Sequence, residues 1–119
     1  MVIRNDFQDE AVLAAEAQVP VEQMEIDRIL HTVREAGIVG MGGAAFPGNV
    51  KALSAMGNVD TLIANACECE PYITADDVML RTNLEQVLEG MMILRDILHP
   101  QHVVLAVEDN KAEAIEKIR

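Results

Sequence analysis

Two short runs combine residue types that can do chemistry. The first is Gly40-Met41-Gly42-Gly43-Ala44-Ala45-Phe46-Pro47 and the second is Asn65-Ala66-Cys67-Glu68-Cys69-Glu70-Pro71-Tyr72. Glycines remove the Cβ atoms that hold a ligand away from the backbone, so the first run could present N–H groups to a phosphate or lie flat against a ring. Phe46 and Pro47 stiffen its exit and add an apolar surface. The plainer alternative is a tight connection between two helices. In and just after the second run, Glu68, Glu70, Asp76 and Asp77 place four carboxylates within ten residues. Such crowding raises carboxyl pKa values, and the group could accept hydrogen bonds from a ribose, an amide or a ring N–H. A solvated acidic loop and a cation site are the alternatives.

The spacing Gly40-x-Gly42-x-x-Ala45 also satisfies a dinucleotide fingerprint, with Asp60 as its ribose-binding acid. Context opposes that reading: only Ile38-Val39 precede the loop where a strand is needed, and Asp60 comes before a strand rather than at its end. Cys67 and Cys69 are too close for an easy disulfide and too few for a closed metal site. They read as packing or loop residues, and no metal is assigned. No histidine is assigned to catalysis.

The elements that must position these runs follow from periodicity. From Glu22, the residues Ile26, Ile29, Leu30 and Val33 recur at helical spacing up to Gly37. Asn49 to Met56 fits a short helix, and Thr61 to Ala66 a buried strand. Thr74 caps a turn through Leu80. Asn83 with Gln86 forms a capping-box pattern ahead of a helix whose apolar face is Leu84, Val87, Leu88, Met91, Leu94 and Leu98. Pro100 ends it, and Val103 to Val107 is continuously apolar, as expected of a strand covered on both faces. Asn110 with Glu113 repeats the capping pattern before a last helix. Parallel strands joined by a helix would bring Cys67–Tyr72 and Glu108–Asn110 to the carboxyl edge of a sheet, where ligands bind in open α/β folds. Two strands make a poor sheet, however, so a fragment, or a unit that completes its sheet with another copy, is expected.

A length of 119 residues allows one small domain or a piece of one. Half the residues are apolar and only three are aromatic, so the core must come from aliphatic residues and methionine. A net charge of −11 argues against nucleic acid or an anionic membrane surface as a partner. No stretch approaches the roughly 20 apolar residues of a membrane span, and Asp6, Asp9 and Glu10 stand where a signal peptide would be basic and then apolar. The expectation is a soluble, cytoplasmic chain docked to something larger.

Taken in order, the motifs resemble the C component of the Rnf electron-transport complex and, more distantly, the NADH-binding flavoprotein subunit of respiratory complex I. The resemblance rests on Ala36 through Pro47, Glu68 through Asp77, and Glu108 through Lys111, and it runs from about Glu22 to the end of the chain. It implies a Rossmann-like domain binding FMN and NADH, in which hydride passes to flavin and electrons leave singly for iron–sulfur clusters. On that resemblance Gly40, Gly42, Gly43, Ala44 and Ala45 lie along the flavin, with Phe46 near the nicotinamide. Lys51 meets phosphate or ring, and Asn65, Glu68, Glu70 and Glu108 hold flavin and nucleotide. Ala45 stands where the family usually has glycine, and Cys67 where alanine or aspartate is usual. The cysteine clusters that ligate 4Fe-4S centres in these subunits are absent from these 119 residues.

The expected fold class is α/β, a partial Rossmann-like domain with short parallel strands and flanking helices. Residues 1–20 read as a linker or severed tail and 21–119 as the N-terminal part of an FMN/NADH-binding domain. The implied partners are other subunits of a membrane electron-transport complex, on its cytoplasmic side, or a second copy of the chain. The chain alone is expected to be inactive. A structural or assembly fragment holding no cofactor, and an acidic cation-binding module, are the competing readings.

Overall fold

The computed structural model describes residues 4, 7, 8, 20–41 and 43–119. Apart from Arg4, Phe7, Gln8 and Pro20, the expected leading segment 1–20 lies outside the described residues, as does Gly42.

The first helix starts later than its periodicity predicts. A single 3-10 turn at Val21–Gln23 follows Pro20, Met24 is extended, and α1 then runs Ile26–Glu35. Leu30 is buried in the core, with Ile26 and Ile29 packed against the same cluster. At the other end the Gly37 N–H bonds to Arg34 O and the Ile38 N–H to Val33 O. This is the Schellman pattern, which needs a residue with positive φ, supplied by Gly37 at +66°. The chain then pairs Val39 with Pro47 in a small antiparallel bridge, closed by Gly40 N–H to Phe46 O at 2.8 Å and Gly48 N–H to Ile38 O at 2.9 Å. Helix α2, Gly48–Ala55, starts at once. A Cβ on Gly48 would sit 3.0 Å from Ile38 O, so the close return of the chain there depends on glycine.

Strand β1, Thr61–Ala66, leads through a loop to α3, Ala75–Thr82, then α4, Leu84–Leu98, strand β2, His102–Val107, and α5, Ala112–Ile118. The two strands pair in parallel, from Thr61 beside His102 to Ala66 beside Val107. Asp60 O accepts the N–H groups of Gln101 and His102, tying the strand entrances together. Among the described residues the result is an α/β fold of two parallel strands and five α-helices, consistent with part of a Rossmann-like domain.

Two core clusters hold it. Leu30, Ala52, Ile97 and Leu98 join α1, α2 and α4, with Leu62 of β1 against them. Leu80, Leu84 and Ala114 join α3, α4 and α5, with Ala66, Leu105 and Val107 of the sheet. Leu62, Ala66, Leu105 and Val107 share one pleat face of the paired strands, so the helices gather there. The opposite face is open: Ile63 is 59% and Val104 43% exposed. This corrects the expectation that β2 is covered on both sides. The apolar face of α4 is also narrower than its sequence stripe. Ile97 is buried, while Leu88 and Leu94 of the expected face are exposed.

The capping expectations are corrected too. No side-chain cap bond forms at α4: Asn83 Nδ2 donates to Gln86 Oε1 at 3.0 Å, and Asn83 Oδ1 accepts from Thr82 Oγ1. The side chains satisfy one another, leaving the helix N–H groups without them. At α5 the N-cap is Lys111, not Asn110, and at α3 Thr74 holds the N-cap position with no side-chain bond.

Candidate functional site

The glycine loop is a protrusion pinned at its base by the Val39–Pro47 bridge. Gly43, Ala44, Ala45 and Phe46 are all exposed, and Gly43 and Ala45 both have positive φ, +92° and +49°. Lys51, on the first turns of α2, folds back under the loop. Its Nζ lies 3.7 Å from the position a Cβ on Gly40 would occupy. Gly40, Gly43, Ala44, Ala45, Phe46 and Lys51 are thus brought together, with Gly42 outside the described residues. Lys51 also lines an apolar cleft of about 560 Å³ beside the loop, walled by Val33 and Ile38, by Thr61–Ile63 of β1 and by Met91 and Leu94 of α4.

The second group stands at the carboxyl edge of the sheet, as the βαβ reading requires. Asn65, the next to last residue of β1, accepts the Cys67 N–H on its Oδ1 at 3.2 Å and so turns the chain out of the strand. Glu68 then points inward, and its side chain is only 4% exposed. Its Oε1 accepts the Asp76 N–H at 2.8 Å, giving the first turn of α3 the cap that Thr74 does not provide. Its Oε2 is buried without a hydrogen-bond partner and faces Lys111 Nζ at 3.3 Å. Lys111 also reaches Glu108 Oε2 at 3.7 Å.

Burial alone would push the Glu68 carboxyl up. The Asp76 amide, the Lys111 ammonium and the Asp77 amide outweigh it and hold the pKa below the ordinary value of 4.5. The expected upward shift from crowding is therefore reversed at Glu68. The acidic side chains go separate ways: Glu68 is turned in, Asp77 Oδ2 pairs with Arg81 Nη2 at 3.1 Å, and Glu70 is left exposed. Arg81 reaches on to Glu113 Oε2 at 3.2 Å, tying α3 to α5. Hydrogen bonding to Asp77 leads the causes that raise its pKa.

Beyond Glu68 the loop turns at Glu70-Pro71-Tyr72-Ile73, with the Ile73 N–H on Glu70 O. Pro71 at the second position and Tyr72 at φ +67° in the third fit a type II turn. Tyr72 projects fully into solvent. Both cysteines are free thiols, Cys67 half-buried and Cys69 exposed.

Asn65, Glu68 and Glu108 are thus assembled at one edge, with Glu70 on the rim. Among the described residues no hydrogen bond or ion pair joins this group to the glycine loop. Residue reasoning missed Lys111 and Arg81. Lys111 closes the Glu108-to-Lys111 motif and stands three residues after Glu108, and Arg81 stands four residues after Asp77, so the ion-pair spacings were the available signals for both.

Comparison with known proteins gives this geometry a family. The model of the Nuo51 FMN-binding domain matches residues 33–119. The C component of the ion-translocating oxidoreductase complex of Haemophilus influenzae strain PittEE is 50% identical over 93 residues, covering 78% of this chain and 14% of that protein. Its counterparts in Serratia proteamaculans and in Vibrio cholerae strain O395 are 45% and 40% identical, over 82% and 96% of this chain. The chain spans only 14–15% of the length of these relatives. Matched over most of its length, the chain belongs to the Nuo51 FMN-binding domain family, and its similarity to the C component of ion-translocating oxidoreductase complexes bears out the Rnf-type resemblance of its motifs.

Proposed function

We propose that the chain supplies the glycine-loop part of an FMN site in an Rnf-type electron-transfer subunit. In this reading residues 21–119 are the N-terminal part of an FMN/NADH-binding domain, preceded by a linker over 1–20. The carrying observation is the placement of Lys51 Nζ against Gly40, beneath an exposed loop, in a chain of net charge −11. An anionic phosphate approaching so acidic a molecule needs a local cation, and Lys51 provides one beside an uncluttered backbone. The residues fit the cofactor in kind. Lys51 meets the phosphate, Ala44 and Ala45 offer flat backbone, and Phe46 gives a ring face. Asn65, Glu70 and Glu108 offer hydrogen-bond acceptors to ring N–H and ribose groups.

When bound, FMN supplies the chemistry of taking electrons as a pair from NADH and releasing them singly. The chain's own residues position and exclude water. The bridge at Val39–Pro47 holds the loop's base fixed, and the apolar cleft beside Lys51 keeps one flank dry. Iron–sulfur acceptors and the remaining walls of the pocket belong to the rest of a longer protein, which docks peripherally with other subunits of the complex on the cytoplasmic side of a membrane. No helix among the described residues is long and apolar enough to cross a membrane.

Titrating FMN into the purified chain and following flavin fluorescence tests this. Saturable quenching is expected, weakened about tenfold or more by Lys51→Met through loss of a charge-assisted contact. Absence of saturable quenching up to roughly 50 µM FMN overturns it. A second reading, a chain that folds and assembles without any cofactor, draws on the open sheet face of Ile63 and Val104.

A further inference from the structure

The end of β1 and the loops that follow β1 and β2 carry the acceptors Asn65, Glu70 and Glu108, yet the loop after β1 has few fixed points of its own. Its hydrogen bonds among the described residues are the local turn at Asn65, a long thiol contact from Cys69 Sγ to Cys67 O, the weak turn at Glu70 and the cap from Glu68 to α3. What joins it to the second strand is Lys111. The backbone of Lys111 is anchored on both sides, with its N–H on Glu108 O at 3.1 Å and its carbonyl accepting the Ile115 N–H at 3.0 Å. Its side chain is 17% exposed, and its ammonium lies between Glu68 and Glu108. Ala66 and Val107 are in register, so the two carboxylates emerge side by side from paired strand ends. Without the cation, two like charges would face each other there, one of them buried.

We propose that Lys111 is a positioning residue for the ligand edge. By neutralising Glu68 it holds the Cys67–Tyr72 loop and the first turn of α3 in place, and by reaching Glu108 it sets that carboxylate beside them. The line of contact runs from the Asp76 N–H through Glu68 and Lys111 to Glu108, so one side chain ties together the loops that follow the two strands. Lys111 itself need touch no ligand. The effect on ligand binding rests on the flavin reading above, whereas the effect on the loop does not.

The test uses the whole chain, first without FMN. Amide hydrogen exchange is compared for the native protein, Lys111→Met and Lys111→Arg. Lys111→Met is expected to speed exchange over residues 68–76, the Asp76 amide above all, by about tenfold, with β1, β2 and α4 unchanged. Lys111→Arg, which keeps the charge, should stay within about twofold of the native rate. Unchanged exchange over 68–76 in Lys111→Met overturns the proposal. So does a uniform acceleration across the chain, which would mark Lys111 as a plain stability element, and so does equal acceleration in Lys111→Arg. With FMN present, affinity should fall about tenfold in Lys111→Met and recover in Lys111→Arg, as for partners that orient ligand-holding groups. Loosened exchange with undiminished affinity overturns the positioning role. A native chain that binds no FMN refutes the flavin reading instead, and the exchange comparison still decides the tie.

Discussion

At the scale of single residues, Ala45 shows how a family departure and a backbone conformation bear on each other. It stands where glycine is usual in the resembling subunits, and it adopts φ +49° in an exposed loop. An L-residue with a Cβ is disfavoured in that left-handed region by roughly 1–2 kcal/mol. Glycine would relieve this but would add unfolded-state freedom worth roughly 0.5–1 kcal/mol. The first effect is the larger, so Ala45→Gly is expected to stabilise the chain by about 0.5–1 kcal/mol and raise its melting temperature by a few degrees. Calorimetry showing an unchanged or lower melting temperature would mean the loop relaxes around Ala45 and stores no strain. The substitution was visible in the sequence as a missing glycine. Its physical cost became visible only with the dihedral angle, since neighbouring Gly43 shares the left-handed conformation and spacing alone cannot say which position needs it.

At the scale of elements, four of the five α-helices and both strands were legible within a few residues, from spacings such as 26/29/30/33 and from the aliphatic runs at 61–66 and 103–107, whereas α3 was read only as a turn through Leu80 and is a helix over Ala75–Thr82. The ends of the elements were not legible. Asn83 and Asn110 sit in capping-box patterns, yet Asn83 spends its side chain on Gln86 and Thr82, and the cap of α5 falls one residue later. The cap of α3 comes from Glu68, eight residues before Asp76, which no local pattern encodes. That distant cap has a pH signature. The Glu68 carboxyl titrates lower in the folded chain than its ordinary 4.5, so its contribution is fully present above about pH 4.5 and is lost as pH falls through the depressed folded value. Melting temperatures measured from pH 6 downward should therefore drop in the native chain below about pH 4.5. Glu68→Gln should melt lower at pH 6, with the gap closing toward pH 3. A gap that stays constant across this range would show that the ionised carboxylate is not what stabilises α3.

At the scale of the whole molecule, the sequence conveyed that two strands are too few but not which surface is left bare. A parallel sheet is ordinarily covered on both faces, and a continuous apolar run such as Val103–Val107 was read on that basis. The topology puts the core clusters on the Leu62, Ala66, Leu105 and Val107 side, leaving Ile63 and Val104 exposed on the other, with the outer edges of both strands unpaired among the described residues. Apolar side chains beside free strand edges invite association. In a solution holding only this chain, the cover available is another copy of it. Sedimentation velocity is thus expected to show weight-average mass rising with concentration over roughly the micromolar to hundred-micromolar range. Ile63→Lys combined with Val104→Lys should hold the chain monomeric, because charge on an open face is readily solvated while charge at an apolar contact is costly. Circular dichroism should keep its helical signal in that variant, since neither residue belongs to the two core clusters. A native chain that remains monomeric throughout, or a double variant that still associates, would show that the open face of the sheet is not the surface that drives assembly.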